Sequence, residues 1–148
     1  MLKIRIISEY YMRSFIINLI IYIVIIGGVV VGFPRALSWY LGTPYPMAAI
    51  TSGSMWPVLK EGSLVFIKSV DKSEIKVGDI IVYRNDKGFT IHRVAELREN
   101  DLTTKGDANF QKDAPVKYEN IIGRTFTVFN RPVVIPYLGM ITVMANNK

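Results

Sequence analysis

Cysteine is absent from this chain of 148 residues, and histidine occurs once, at His92. The first absence excludes a disulfide framework, a thiol nucleophile and a thiolate-held metal. The second leaves metal catalysis only carboxylate-rich ligand sets. There is no glycine-rich phosphate loop followed by Lys and Ser or Thr, no internal repeat, no low-complexity tract and no amphipathic helical period. Lys and Arg exceed Asp and Glu by 18 to 12, a formal charge of +6, but they are scattered rather than gathered on one element. That distribution argues against a nucleic-acid surface and suits a face turned toward anionic lipid head groups.

What the chain has in quantity is apolar matter. Half of it is hydrophobic, with many aromatic and β-branched residues, which excludes a disordered polypeptide. Residues 15–33 carry no charge and only Asn18 as a strongly polar member. As a helix at ~1.5 Å per residue this run spans roughly 28 Å, the thickness of a bilayer's hydrocarbon. Lys3, Arg5 and Arg13 precede it, whereas only Arg35 is basic between its end and Lys60. The bias puts residues 1–14 in the cytoplasm and the rest outside. Tyr10 and Tyr11 on one side, and Trp39 and Tyr40 on the other, suit the two interfacial aromatic belts. A cleavable secretory signal is the competing account, because Ala36-Leu37-Ser38 offers a small-x-small site. The run exceeds the usual ~7 to 15 residues of a cleaved signal core, so an anchor is expected.

Beyond the run the patterns are short and strand-like. Residues 34–50, with Pro44 and Pro46, read as an extended linker, and residues 51–148 as one extracytoplasmic domain. Strands are expected at Leu64–Lys68, 80–83, 89–97, 102–105, within 121–129 and at 131–135. Asn85-Asp86-Lys87-Gly88 supplies hairpin-turn chemistry between the second and third, and 106–115 is a polar loop. The fold class expected is mainly β, an antiparallel sheet behind one amino-terminal transmembrane helix.

Few residues can carry chemistry. Thr51-Ser52-Gly53-Ser54-Met55-Trp56-Pro57 sets two hydroxyls around a glycine where the folded domain begins. Gly53 lets another backbone approach closely, although Ser and Gly are also ordinary turn residues. His92 lies in an expected strand, with Thr90 and Val94 on its face by period-two alternation. Lone strand histidines commonly serve structure, but an imidazole is also the natural acceptor for a serine proton near neutral pH. Asp107 and Asp113 follow, and either can orient an imidazole through Nδ1 or simply serve the loop.

Taken together, Ser52-Gly53-Ser54-Met55-Trp56-Pro57, Val77-Gly78-Asp79-Ile80-Ile81-Val82-Tyr83, Ile91-His92-Arg93-Val94 and Thr104-Lys105-Gly106-Asp107-Ala108-Asn109 resemble, in order and spacing, the sequence boxes of signal peptidase I. The resemblance runs from the anchor to about Gly139. The bacterial branch of that superfamily uses a lysine base, and His92 at that place indicates the archaeal and endoplasmic-reticulum branch. The resemblance implies Ser54 as nucleophile, Ser52 as support for the oxyanion and His92 as general base. Of the two acidic positions it implies, Asp113 is preferred as the residue orienting His92, with Asp107 supporting the site.

It further implies a single-pass enzyme of the cell or endoplasmic-reticulum membrane that removes signal peptides from secretory precursors after small-x-small sites. Partners are those precursors and the lipid bilayer, with accessory subunits left open; no nucleic acid and no cofactor is expected. Met55 and Trp56 are read first as core packing, with an apolar rim touching substrate or lipid as the alternative. Many relatives continue into a second membrane helix, whereas 137–145 is too short to span, so a single anchor or a shortened chain is expected. Two rival readings fit the same residues. One is a processing or self-cleaving serine protease of the same superfamily, and the other a membrane-tethered β-domain that binds without catalysis and would tolerate Ser54→Ala.

Overall fold

A computed structural model describes residues 2–86, 88–140 and 143–144. Lys87 of the expected hairpin turn, and 145–148 of the expected terminal domain, lie outside the described residues. The chain forms two compact units, Met1–Leu37 and Ser38–Lys148.

Helix α1 runs Leu2–Leu41 and contains the apolar run, extending it at both ends. Tyr11–Leu41 is long and apolar enough to cross a membrane, and its most apolar stretch is not buried by protein. Pro34 sits inside the helix, and the Arg35 guanidinium donates to the Val31 carbonyl one turn back. The stop is local chemistry. Gly42 adopts φ +67°, and the Thr43 N–H reaches back to the Ser38 carbonyl at 3.2 Å, the glycine-based closure that satisfies a terminal helix carbonyl.

The stretch 34–50, expected as an extended linker, therefore divides between the last turns of α1 and a strand. That strand is β1 (Met47–Ala49), paired antiparallel with β2 (Leu64–Lys68). There follow β3 (Ile80–Asn85), β4 (Gly88–Leu97), β5 (Asp101–Lys105), β6 (Val116–Lys117), β7 (Ile121–Thr125), β8 (Thr127–Val128), β9 (Arg131–Pro132) and β10 (Val134–Ile135). The main sheet is ordered β1-β2-β7-β3-β4-β5-β6, with β10 also on β2, while β8 and β9 form a separate hairpin. The pairings are antiparallel, in accord with the mainly β class expected.

Strand β3 departs from simple alternation because both of its faces are covered. Ile81 and Tyr83 pack with Ile75, Val94, Leu102 and Val116, whereas Ile80 packs with Ile50, Met55, Leu59 and Val65. The second cluster matters for function, because Met55 and Leu59 pin the segment after Ser54 into the core. Each such fully buried side chain contributes about 1.5–3 kcal/mol. Met55 is thus a core residue at 1% exposure, in accord with the core-packing reading, while Trp56 beside it is 60% exposed and departs from it. Its thioether chain fills the space under the sheet instead of meeting solvent.

Candidate active site

Ser54 sits in a single 3-10 turn, Gly53–Met55, entered from extended backbone at Ser52. The turn aims two hydroxyls at one place, with Ser52 Oγ 3.2 Å from Ser54 Oγ. Behind the turn, the Ala108 N–H donates to the Ser54 carbonyl at 2.8 Å. That approach requires glycine at 106, where a Cβ would lie 2.7 Å from the Ser54 carbonyl oxygen.

His92 comes from the middle of β4, in register with Ile81 on β3, and is 8% exposed. Its Nε2 lies 3.1 Å from Ser54 Oγ, and its Nδ1 lies 2.5 Å from Asp113 Oδ2. A carboxylate only accepts, so Nδ1 bears the proton; Nε2 then presents its lone pair to the serine hydroxyl. Three groups far apart in sequence are thereby joined in one line of hydrogen bonds.

Asp113 returns to the sheet at the end of the loop after β5. Its N–H donates to the Thr104 carbonyl at 2.8 Å, and its Oδ2 accepts from the Thr104 hydroxyl at 2.6 Å. The Tyr83 hydroxyl stands 3.3 Å from the same oxygen. Burial pushes the Tyr83 phenol above its ordinary pKa, so it keeps its proton as a donor.

Asp107 is elsewhere engaged. Arg93 holds both of its oxygens, Nε to Oδ1 at 2.8 Å and NH2 to Oδ2 at 2.7 Å, and donates from NH1 to the Gly78 carbonyl at 2.7 Å. Hydrogen bonding to Asp107 raises the guanidinium's pKa further. Of the residues picked from the sequence, Ser54, His92, Asp113 and Ser52 come together, and Asp107 stands behind them. Arg93, Thr104 and Tyr83 were missed as site residues. Each lay inside the quoted boxes, which was the available signal, but each also reads as an ordinary strand residue.

The line of bonds opens into a groove of about 1170 Å³, whose walls include Met47, Ala49, Ser52, Thr90, Ile91 and Asn109. Strand β1 ends the sheet order, so among the described residues its outer edge faces no strand of the main sheet. An extended peptide laid there can hydrogen-bond to that edge. A hydroxyl with an adjacent acceptor, an oriented imidazole and a second hydroxyl beside the reacting oxygen is an arrangement able to perform acyl transfer.

Residues 33–126 match the family described as Peptidase S24-like. The human signal peptidase complex catalytic subunit SEC11C is 30% identical over 115 residues, covering 72% of this chain and 60% of that protein. The corresponding SEC11 subunit of Fusarium vanettenii is 30% identical over 119 residues, covering 74% of this chain and 69% of that one. Signal peptidase I W of Bacillus subtilis is 35% identical over 95 residues, covering 60% and 50%. The chain thus spans about 60% of the length of its mammalian relatives. With its four sequence boxes gathered around one groove, the chain belongs to the Peptidase S24-like family, within the signal peptidase I superfamily of serine peptidases.

Proposed function

We propose that this chain is a membrane-anchored signal peptidase, a serine endopeptidase that removes signal peptides from secretory precursors after small-x-small sites. The observation that carries the reading is His92 bridging Ser54 Oγ at 3.1 Å and Asp113 Oδ2 at 2.5 Å. In this mechanism Ser54 Oγ attacks the scissile carbonyl while its proton passes to His92 Nε2. Asp113 holds the imidazole and stabilises the imidazolium. The Ser52 hydroxyl supports the oxyanion. Collapse breaks the peptide C–N bond, and the departing amine takes the proton from Nε2. Water then adds to the acyl-enzyme with His92 again as base, releasing the signal peptide's carboxylate and restoring Ser54. Asp107, through Arg93, supports the wall behind the nucleophile.

Residues 15–33 of α1 cross the bilayer, with residues 1–14 cytoplasmic and the β unit outside, by the basic residues that precede the run. The substrate then reaches the groove as an extended segment leaving the same membrane. Small side chains fit shallow pockets, but one methylene discriminates by only ~1–3 kcal/mol, so selectivity also draws on how the bilayer presents the cleavage segment. Cleavage of a model precursor by the full chain in detergent or lipid tests the reading. Ser54→Ala and His92→Ala should each lower kcat by at least ~10⁴-fold. Near-wild-type turnover in either variant would overturn it.

A further inference from the structure

The imidazole leans on the carboxylate of Asp113, which must itself be held in place. We propose that Thr104, backed by Tyr83, is the positioning residue that fixes the Asp113 carboxylate for His92. This rests on the serine-peptidase reading given above.

Thr104 fastens Asp113 at two points, through its carbonyl to the Asp113 N–H and through its hydroxyl to Oδ2. Thr104 is fully buried at 0% exposure and sits opposite Val94 across the β4–β5 ladder, so its hydroxyl has no freedom to seek water. A threonine hydroxyl owns one proton, and a carboxylate can only accept, so that proton goes to Oδ2. The Thr104 oxygen also lies 3.2 Å from the Tyr83 oxygen. Tyr83 has one proton to give and Oδ2 accepts it at 3.3 Å, so Tyr83 backs Asp113 directly from beside Thr104.

The side chain of Asp113 is 24% exposed, enough for it to rotate toward solvent if nothing held Oδ2. Asp107 is held apart from this group by Arg93, which bonds both of its oxygens. The hydroxyl pair on one side and the guanidinium on the other thus assign the two carboxylates different work. Displacing a catalytic group by about 1 Å can cost ~10²-fold in rate, so a side chain that touches no substrate can govern turnover.

The test compares Thr104→Val, which keeps shape and main-chain bonds, with Thr104→Ser and Tyr83→Phe, in the full chain cleaving a model precursor. Thr104→Val should lower kcat by about 10- to 100-fold, the size of one hydrogen bond to a charged group, with KM within about twofold. Thr104→Ser should recover most of that loss, and Tyr83→Phe should lose only about 3- to 10-fold. In an Asp113→Ala background, Thr104→Val should cost nothing further, because its target is gone. A loss of equal size in that background, a serine variant as poor as valine, or a loss carried by KM overturns the proposal.

His92 is the only histidine, so its Nδ1–H proton resonance gives a readout independent of turnover. That low-field signal should persist in Thr104→Ser and in Ser54→Ala and broaden or vanish in Thr104→Val; an unchanged signal in Thr104→Val overturns the proposal even if catalysis is never measured. Cleavage surviving Ser54→Ala would sink the peptidase reading and this one with it. Cleavage lost in Ser54→Ala but intact in Thr104→Val would sink this one alone.

Discussion

Asp107 and Asp113 stand at opposite ends of the loop that follows β5, and their surroundings have nothing in common. At the first end a guanidinium takes both carboxylate oxygens and ties the loop to Gly78, while the next N–H, that of Ala108, holds the Ser54 carbonyl. At the second end two hydroxyls and an imidazole converge on one oxygen. Two chemically identical side chains thus divide between an ion pair with Arg93 and the hydrogen-bonded line through His92 to Ser54, and the division is made by their neighbours.

The sharpest way to break the comparison is to remove each carboxylate in turn. Asp113→Ala should lower kcat by about 10⁴-fold, since it removes the imidazole's orienting acceptor, and should also cost about 1–3 kcal/mol by leaving the buried Thr104 hydroxyl without that acceptor. Asp107→Ala should lose a similar amount, about 1–3 kcal/mol, in denaturant titration by stranding Arg93, with a far smaller loss of kcat. A kcat loss in Asp107→Ala as deep as that of Asp113→Ala would show that both ends serve proton transfer. Between these extremes lies Gly106→Ala, whose new Cβ would meet the Ser54 carbonyl at 2.7 Å. It should cost about 1–3 kcal/mol and push the nucleophile off its line, lowering kcat by about 10²-fold in steady-state cleavage assays.

The smallest expected effect concerns Tyr83 alone. Burial raises its pKa above the ordinary value of 10.0, so its contribution to stability is whole below that pH and is lost as pH rises through the folded value. Thermal melts across the alkaline range should show the wild type losing stability more steeply above about pH 10 than Tyr83→Phe does. Parallel curves would mean that the phenol's neighbours do not distinguish its two protonation states.

Much of the scaffold could be read locally. Leu64–Lys68 matches β2, and the expected strands at 80–83, 89–97 and 102–105 fall within β3, β4 and β5. In these segments β-branched and aromatic residues agree with the final pairing. Strands β1 and β6 escaped notice because they are short, neighbour Pro46 and Pro115, and exist only by pairing with β2 and β5. The β-prone stretch 121–129 divides at Phe126, whose N–H bonds to the Phe66 carbonyl and whose carbonyl accepts from Val133. No local pattern announces such partners.

By itself the sequence determined the long apolar helix, the strand-rich unit and the hydroxyl and imidazole around which the four boxes gather. These follow from short-range preferences: hydropathy, β-propensity and backbone freedom at single residues. Tertiary structure alone decided that Met55 is core, that Arg93 claims Asp107, and that Thr104 and Tyr83 deliver Asp113 to His92. Hydrogen bonds tolerate only a few tenths of an ångström, and strand register and loop return set that precision between residues far apart along the chain.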